Sequence, residues 1–274
     1  MFSFTSNFLT APTKKILLST FGSLFLLSAS HLSAQLIENG SFDDWEDGMP
    51  VGWSLFGSGA TEPTQIDGLV LGSTSAVLIE NGDSIRQMIV DGPAVAKLSL
   101  TFAASSSTSA SNRAFNLGIG SFEGGSTPSI NFRMVNTTGE WDSNLLSLQA
   151  YDGSGAGWVN VVENAFEGSV YEGGTFTTEN LYNLSVEVDF ASETPSYSIS
   201  YGMVGDEETT VSNITYFQSE IDSLNAVSLT SPSADSYFAV DNMSLESIPE
   251  PNSTSLLLLG SVISFVVLVR RRRK

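Results

Sequence analysis

Carboxylates are the reactive side chains this chain has in quantity, 30 Asp and Glu against 11 Lys and Arg. It has no cysteine, and its single histidine, His31, sits in a stretch of apolar and small residues near the N-terminus. Past that stretch there is no imidazole and no thiol. This excludes Ser-His-Asp and Cys-His nucleophiles, a histidine zinc site and haem ligation by His or Cys. Carboxylate, lysine, tyrosine or Ser-Lys chemistry remains. Glu187 and Asp189 stand at i and i+2, roughly 7 Å apart on one strand face, a spacing that a glycosidase pair can use. Their alternation with Leu184, Val186, Val188 and Phe190 is equally that of a half-buried strand, and solvent exposure accounts for it in full. Glu38, Asp43 and Asp241 lie near the two ends of the β-rich region. If those ends pair, three hard oxygen ligands meet in an arrangement that suits Ca²⁺. Otherwise they are solvated turn carboxylates. The loop Asp43-Asp44-Trp45-Glu46-Asp47 lacks the spacing of an EF-hand and reads as a charged turn. Trp45, Trp141, Tyr151 and Trp158 offer aromatic faces on which pyranose rings stack. Trp53 and Trp158 fall in strand-like runs, where core filling is the preferred reading, so the candidate glycan contacts are Trp45, Trp141 and Tyr151.

These groups must be held by strands. Runs with alternating or β-branched character recur at Ala76–Ile79, Ile85–Val90, Val95–Phe102, Phe115–Ile119, Ile130–Val135 and Leu145–Tyr151. They continue at Trp158–Val162, Leu181–Phe190, Tyr197–Tyr201, Ala226–Leu229 and Phe238–Leu245. Turn dipeptides separate them: Asn39-Gly40, Asp67-Gly68, Asn81-Gly82, Asp91-Gly92, Asp152-Gly153 and Gly173-Gly174. No segment between residues 35 and 247 keeps a helical period. The pattern predicts an all-β, two-sheet antiparallel jelly-roll sandwich, with the Ser-rich stretch Ala103–Asn112 as a surface loop. About 210 residues is ample for one core, which must stabilise the fold without disulfides.

The two ends differ in character. Lys14 and Lys15 precede an apolar run, Ile16–Leu27, and Leu32-Ser33-Ala34 suits signal peptidase. Residues 1–34 are therefore expected to be a signal peptide and helix, with the mature chain starting near Gln35. At the other end Pro249, Glu250 and Pro251 precede fourteen apolar or small residues, Leu256–Val269, and then Arg270, Arg271, Arg272, Arg273 and Lys274. With its hydroxyl flank this run spans about 25 Å as a helix, near the lower limit for a bilayer core. The basic cluster favours the cytoplasmic side and stops transfer, which leaves the preceding chain outside. Tripeptide, apolar helix and basic stop, in this order, resemble the PEP-CTERM sorting signal. That resemblance implies sorting and processing by an intramembrane exosortase. Asn252 stands where many members of that family carry Ser or Thr. The expected organisation is signal peptide 1–34, sandwich 35–247 and sorting segment 248–274, the last with a single transmembrane helix at 254–269 and a basic tail at 270–274.

Between signal and tail only Arg86, Lys97, Arg113 and Arg133 oppose the 30 carboxylates, a net charge of −26 (4 − 30) where the whole chain carries −19. Such a polyanion does not bind nucleic acid by counterion release. It suits a soluble surface protein. The opening, Glu38-Asn-Gly-Ser-Phe-Asp43 to Trp53, and the close, Tyr237 to Leu245, resemble extracellular carbohydrate-binding and galactose-binding-like jelly rolls. The segment from Phe132 through Tyr151 to Tyr201 is similar to the concanavalin A/laminin-G type. The first resemblance implies a structural Ca²⁺ at Glu38, Asp43 and Asp241, the one cofactor expected. Together they imply a non-enzymatic envelope or extracellular-matrix protein that binds glycan or exopolysaccharide. Its partners would be the secretion machinery, signal peptidase, exosortase and, through the C-terminal helix, the inner membrane, before display at the cell surface or release. The alternatives are a carboxylate-dependent glycan hydrolase or lyase, and a structural envelope protein without a ligand.

Overall fold

The computed structural model describes residues 35–248, apart from 58, 71, 81, 106–112, 121–127, 137–143, 170, 173–174, 177–179, 220–222 and 232–236. The expected signal segment 1–34, Trp141, the motif Pro249-Glu250-Pro251, the expected helix 254–269 and the basic stretch 270–274 lie outside the described residues. Among the described residues there is no helix, and none long and apolar enough to cross a membrane. Eighteen strands carry the described residues. The first nine are β1 (Trp45–Glu46), β2 (Met49–Pro50), β3 (Ser54–Leu55), β4 (Thr64–Asp67), β5 (Ser75–Glu80), β6 (Ser84–Met88), β7 (Val95–Ala104), β8 (Arg113–Ile119) and β9 (Ile130–Val135). The rest are β10 (Leu145–Asp152), β11 (Gly157–Glu167), β12 (Tyr171–Glu172), β13 (Thr175–Phe176), β14 (Tyr182–Asp189), β15 (Ser196–Met203), β16 (Thr209–Ile214), β17 (Ala226–Thr230) and β18 (Tyr237–Ser247).

Fourteen of them form two seven-stranded antiparallel sheets. Sheet I has the order β11-β10-β9-β8-β17-β6-β3, and sheet II the order β16-β15-β14-β7-β18-β5-β4. Strands β1 and β2, and β12 and β13, form separate short hairpins. Alternation decides which side chains meet between the sheets. Leu98, Leu100 and Phe102 of β7, with Leu184, Val186 and Val188 of β14, are buried in the main core. Rings then lock one sheet to the other. Phe102 of sheet II lies 5.4 Å from Phe115 of sheet I, and Phe115 lies 4.8 Å from Phe238 of sheet II. Burying each such ring contributes about 1.5–3 kcal/mol.

The opening of the chain runs beside its close. Gln35 bridges Glu246, the Leu36 amide donates to the Leu245 carbonyl at 2.9 Å, and the Met243 amide donates to the Gly40 carbonyl at 2.7 Å. Gly40 is required there because a Cβ would stand 1.7 Å from the Met243 carbonyl oxygen. The Ser-rich stretch is not a loop from its first residue. Ala103 and Ala104 complete β7 and are buried, and the Ser105 amide donates to the Tyr237 carbonyl at 2.8 Å. These residues are small because their neighbours press on both faces. Ala103 belongs to a second apolar cluster with Leu69, Ala76, Leu78 and Ala239, separate from the main core.

Candidate functional site

The outer face of sheet I carries two rows of side chains, fixed by register. In one, Asn160 of β11 pairs with Gln149 of β10, and Gln149 with Arg133 of β9. Arg133 pairs with Asn116 of β8, Asn116 with Thr230 of β17, and Thr230 with Ser84 of β6. In the next, Asn131 pairs with Gly118, Gly118 with Ser228, Ser228 with Arg86, and Arg86 with Ser54. Trp158 and Tyr151 pair at the β11 end. Strands about 4.8 Å apart place six neighbouring strands across roughly 24 Å. Between the two arginines the rows frame a groove of about 280 Å³. Asn116, Asn131, Ser84, Ser228 and Thr230 line it, with Phe56 on one wall and no Asp or Glu among the described lining residues. Gly118 belongs to the lining. A Cβ there would stand 2.5 Å from Ser228 Oγ and 2.9 Å from Pro128 Cγ, which explains a glycine inside a central strand. The Asn116 Oδ1 is buried and has no hydrogen-bond partner among the described residues. Such an acceptor costs free energy unless something donates to it.

Ring stacking and amides orient the flanking cations. The Arg133 Cζ lies 4.2 Å above the Trp158 ring, and its Nε donates to Gln149 Oε1 at 2.7 Å. Gln149 Nε2 in turn donates to Asn160 Oδ1 at 2.7 Å. Trp158 meets Tyr151 edge to face at 5.2 Å. On the other flank the Arg86 Cζ lies 4.6 Å above the Phe56 ring. The sequence expectation for Trp158 is thereby corrected. It does not fill the core but lies half-buried on the outer face, because β11 turns this position outward opposite Tyr151. Trp53 is core, as expected, packed 5.3 Å from Phe42. Tyr151 is at this face, whereas Trp45 belongs to the β1-β2 hairpin, where its indole donates to the Phe42 carbonyl at 2.6 Å. No single platform of Trp45 and Tyr151 is formed. Missing from the sequence reading were Arg86, Asn116, Asn131 and Arg133. The one signal for the two arginines was that three of the four cations between residues 35 and 248, Arg86, Lys97 and Arg133, fall at outward positions of predicted strands.

Glu38, Asp43 and Asp241 do not gather. Among the described residues no three of Asp, Glu and His form a group able to hold a metal ion. Glu38 is exposed, and its backbone is held by Gln87, whose Oε1 accepts from the Glu38 amide at 3.0 Å. Asp43 and Asp241 instead brace one segment, residues 68–75, from two sides. Asp43 Oδ1 accepts from the Thr74 amide at 2.9 Å, the Thr74 hydroxyl at 2.5 Å and the Ser75 amide at 3.0 Å. Those donors, the Thr74 hydroxyl first, lower its pKa from 3.8 to about 2. Asp241 is fully buried and accepts from the Leu69 amide at 2.9 Å, the Ser73 hydroxyl at 3.2 Å and the Asn242 amide at 2.7 Å. Burial outweighs these donors and raises its pKa. Glu187 and Asp189 lie on the outer face of sheet II. Glu187 stands between Lys97 and Ser198 in register, and Asp189 accepts from the Ala191 and Ser192 amides at 3.1 Å each, which closes the following turn.

No family model matches the chain, and no curated protein matches it. It is similar to several solved structures. The marine PL-14 alginate lyase from Aplysia kurodai is 12% identical, with 68% of this chain and 87% of that one covered and a TM-score of 0.43. The exoplasmic/lumenal domain of VIP36 in its Ca²⁺/Man2-bound form is 10% identical, with 80% and 91% covered and a TM-score of 0.46. Lectin II from Ulex europaeus is 8% identical, with 73% and 94% covered and a TM-score of 0.45.

Proposed function

We propose that this is an exported, non-enzymatic glycan-binding protein of the cell envelope or extracellular matrix, which holds a polysaccharide against the outer face of sheet I. The carrying observation is the groove on this face: amides and hydroxyls line it, and the buried Asn116 Oδ1 has no donor among the described residues. A sugar hydroxyl supplies such a donor, and neutral amides satisfy the other hydroxyls by both donating and accepting. Phe56, Trp158 and Tyr151 add flat apolar surface beside those polar groups, the combination that pyranose rings require. Export through the signal segment and retention through the sorting segment are part of the same reading, with an exosortase as the processing partner.

Retention of the full-length protein, in mild detergent, on a panel of immobilised polysaccharides tests the binding. We expect at least one polymer to retain the native chain, and Asn116→Ala with Asn131→Ala to pass through with an unchanged melting temperature. Retention that survives both substitutions would place the site elsewhere. New reducing or unsaturated ends during incubation would favour the hydrolase or lyase instead. Intact mass of the native protein reports on the tail: loss of Arg270 to Lys274 is expected in a host with a matching exosortase.

A further inference from the structure

The sheet I groove presents acceptors that lack a donor, and its described lining carries no charge. Asn116, Asn131, Ser84, Ser228 and Thr230 are the polar residues of that lining, and no Asp, Glu, Lys or Arg belongs to it. We infer that the groove takes an uncharged polysaccharide, recognised through the hydroxyls it donates, and that it rejects carboxylated and sulfated polymers. This rests on the glycan-binding reading above and deepens it from polysaccharide to neutral polysaccharide.

Three observations carry the assignment. First, the hydrogen bonds within the lining leave acceptors open. Asn131 Nδ2 donates to Gln218 Oε1 at 3.2 Å, which commits a donor and leaves Asn131 Oδ1 without one among the described residues. Asn116 Oδ1 is buried and has no partner among them either. The Ser84 and Thr230 hydroxyls lie 2.8 Å apart, so one of their two O–H groups is spent inside the pair. A sugar hydroxyl donates to such acceptors, whereas a carboxylate or sulfate only accepts. Seated against Asn116 and Asn131 Oδ1, an anion would lose water without gaining a donor, which costs free energy. Second, the lining has no cation to draw on. The only Lys and Arg between residues 35 and 248 are Arg86, Lys97, Arg113 and Arg133. Lys97 lies on sheet II, Arg113 opens β8 three residues before Asn116, and Arg86 and Arg133 stand outside the lining. Third, the groove is shaped for contact. Gly118 leaves out a Cβ that would stand 2.5 Å from Ser228 Oγ, and Phe56 forms a wall. A neutral polymer has no long-range attraction to the protein and is held by such close contacts.

The test compares matched polymers with full-length protein in mild detergent: hydroxyethylcellulose beside carboxymethylcellulose, dextran beside dextran sulfate, and a carboxyl-reduced polyuronate beside its parent. At physiological salt we expect at least one neutral polymer to bind at least tenfold tighter than its charged partner. The comparison is repeated at 1 M salt, where the Debye length falls to about 3 Å and repulsion by the protein's net negative charge no longer acts at a distance. The preference should persist there, because it arises inside the groove. Asn131→Lys places a cation in the lining and should raise affinity for the charged partner several-fold; Thr230→Lys serves if Asn131→Lys lowers the melting temperature. Equal affinity for the two members of each pair, or tighter binding of the charged one, overturns this inference and leaves the glycan-binding reading in place. A preference that vanishes at 1 M salt, or that is unchanged in both lysine variants, overturns it as well. Binding of none of the six polymers overturns both.

Discussion

Asp43→Asn measures how strongly one exposed edge of the fold depends on a single carboxylate. Asp43 collects three donors from Thr74 and Ser75, which lowers its pKa from 3.8 to about 2. At about 1.4 kcal/mol per unit, that displacement corresponds to about 2.4 kcal/mol favouring the ionised form in the folded state. Asp43 is only half-buried, and water and salt screen such a group, so about 1 kcal/mol is the expected share. In a domain of this size that moves the melting temperature by about 2–4 °C. The sign follows from linkage. A carboxylate with a depressed folded pKa stabilises above 3.8, and that stability is lost as pH falls through about 2. Thermal melts of native and Asp43→Asn protein should therefore separate at neutral pH and converge near the acid end. Asp241 gives the opposite slope. Burial raises its pKa, so stability is fullest below 3.8 and declines as pH rises through the raised value. The advantage of the native chain over Asp241→Asn should shrink as pH rises. A gap between native and Asp43→Asn proteins that is independent of pH, or slopes of the same sign for both variants, would refute the account of how residues 68–75 are held.

Trp158→Ala should leave the melting temperature almost unchanged, since the ring lies on the outer face, and should weaken polysaccharide retention by removing both a stacking surface and the support of Arg133; equilibrium binding beside a melt checks both. Gly40→Ala should destabilise strongly, because its Cβ would meet the Met243 carbonyl at 1.7 Å and break the pairing of opening with close; amide exchange should then rise at Leu36 and Met243 first. Phe102→Ala empties the ring cluster between the sheets at a cost of about 3–5 kcal/mol, measured by urea unfolding.

The strands of the core could be read from the chain, because their apolar faces obey the period of two. Leu184, Val186 and Val188 point inward with Glu187 and Asp189 outward, as alternation alone requires. Two edge strands were illegible for the same reason, although the edge strand β11 was read in part as Trp158–Val162. β4 (Thr64–Asp67) and β16 (Thr209–Ile214) are largely exposed on both faces and show no apolar alternation. The Ser-rich stretch misled because Ala103, Ala104 and Ser105 are small in order to fit close neighbours, and small residues also make loops.

Composition alone removed thiol chemistry, left a single imidazole at His31 and set the charge, since those depend on which side chains exist. Alternation alone gave an all-β chain with its buried faces, since burial of apolar surface is local to each strand. Neither said which strands are neighbours. That Asp43 and Asp241 brace one loop from two sides, that Trp158 faces outward, and that Arg86 and Arg133 stand on strands that line one groove follow from strand order and register. Those are fixed by contacts between residues far apart in the chain, such as Asn116 with Thr230, and no local pattern encodes them.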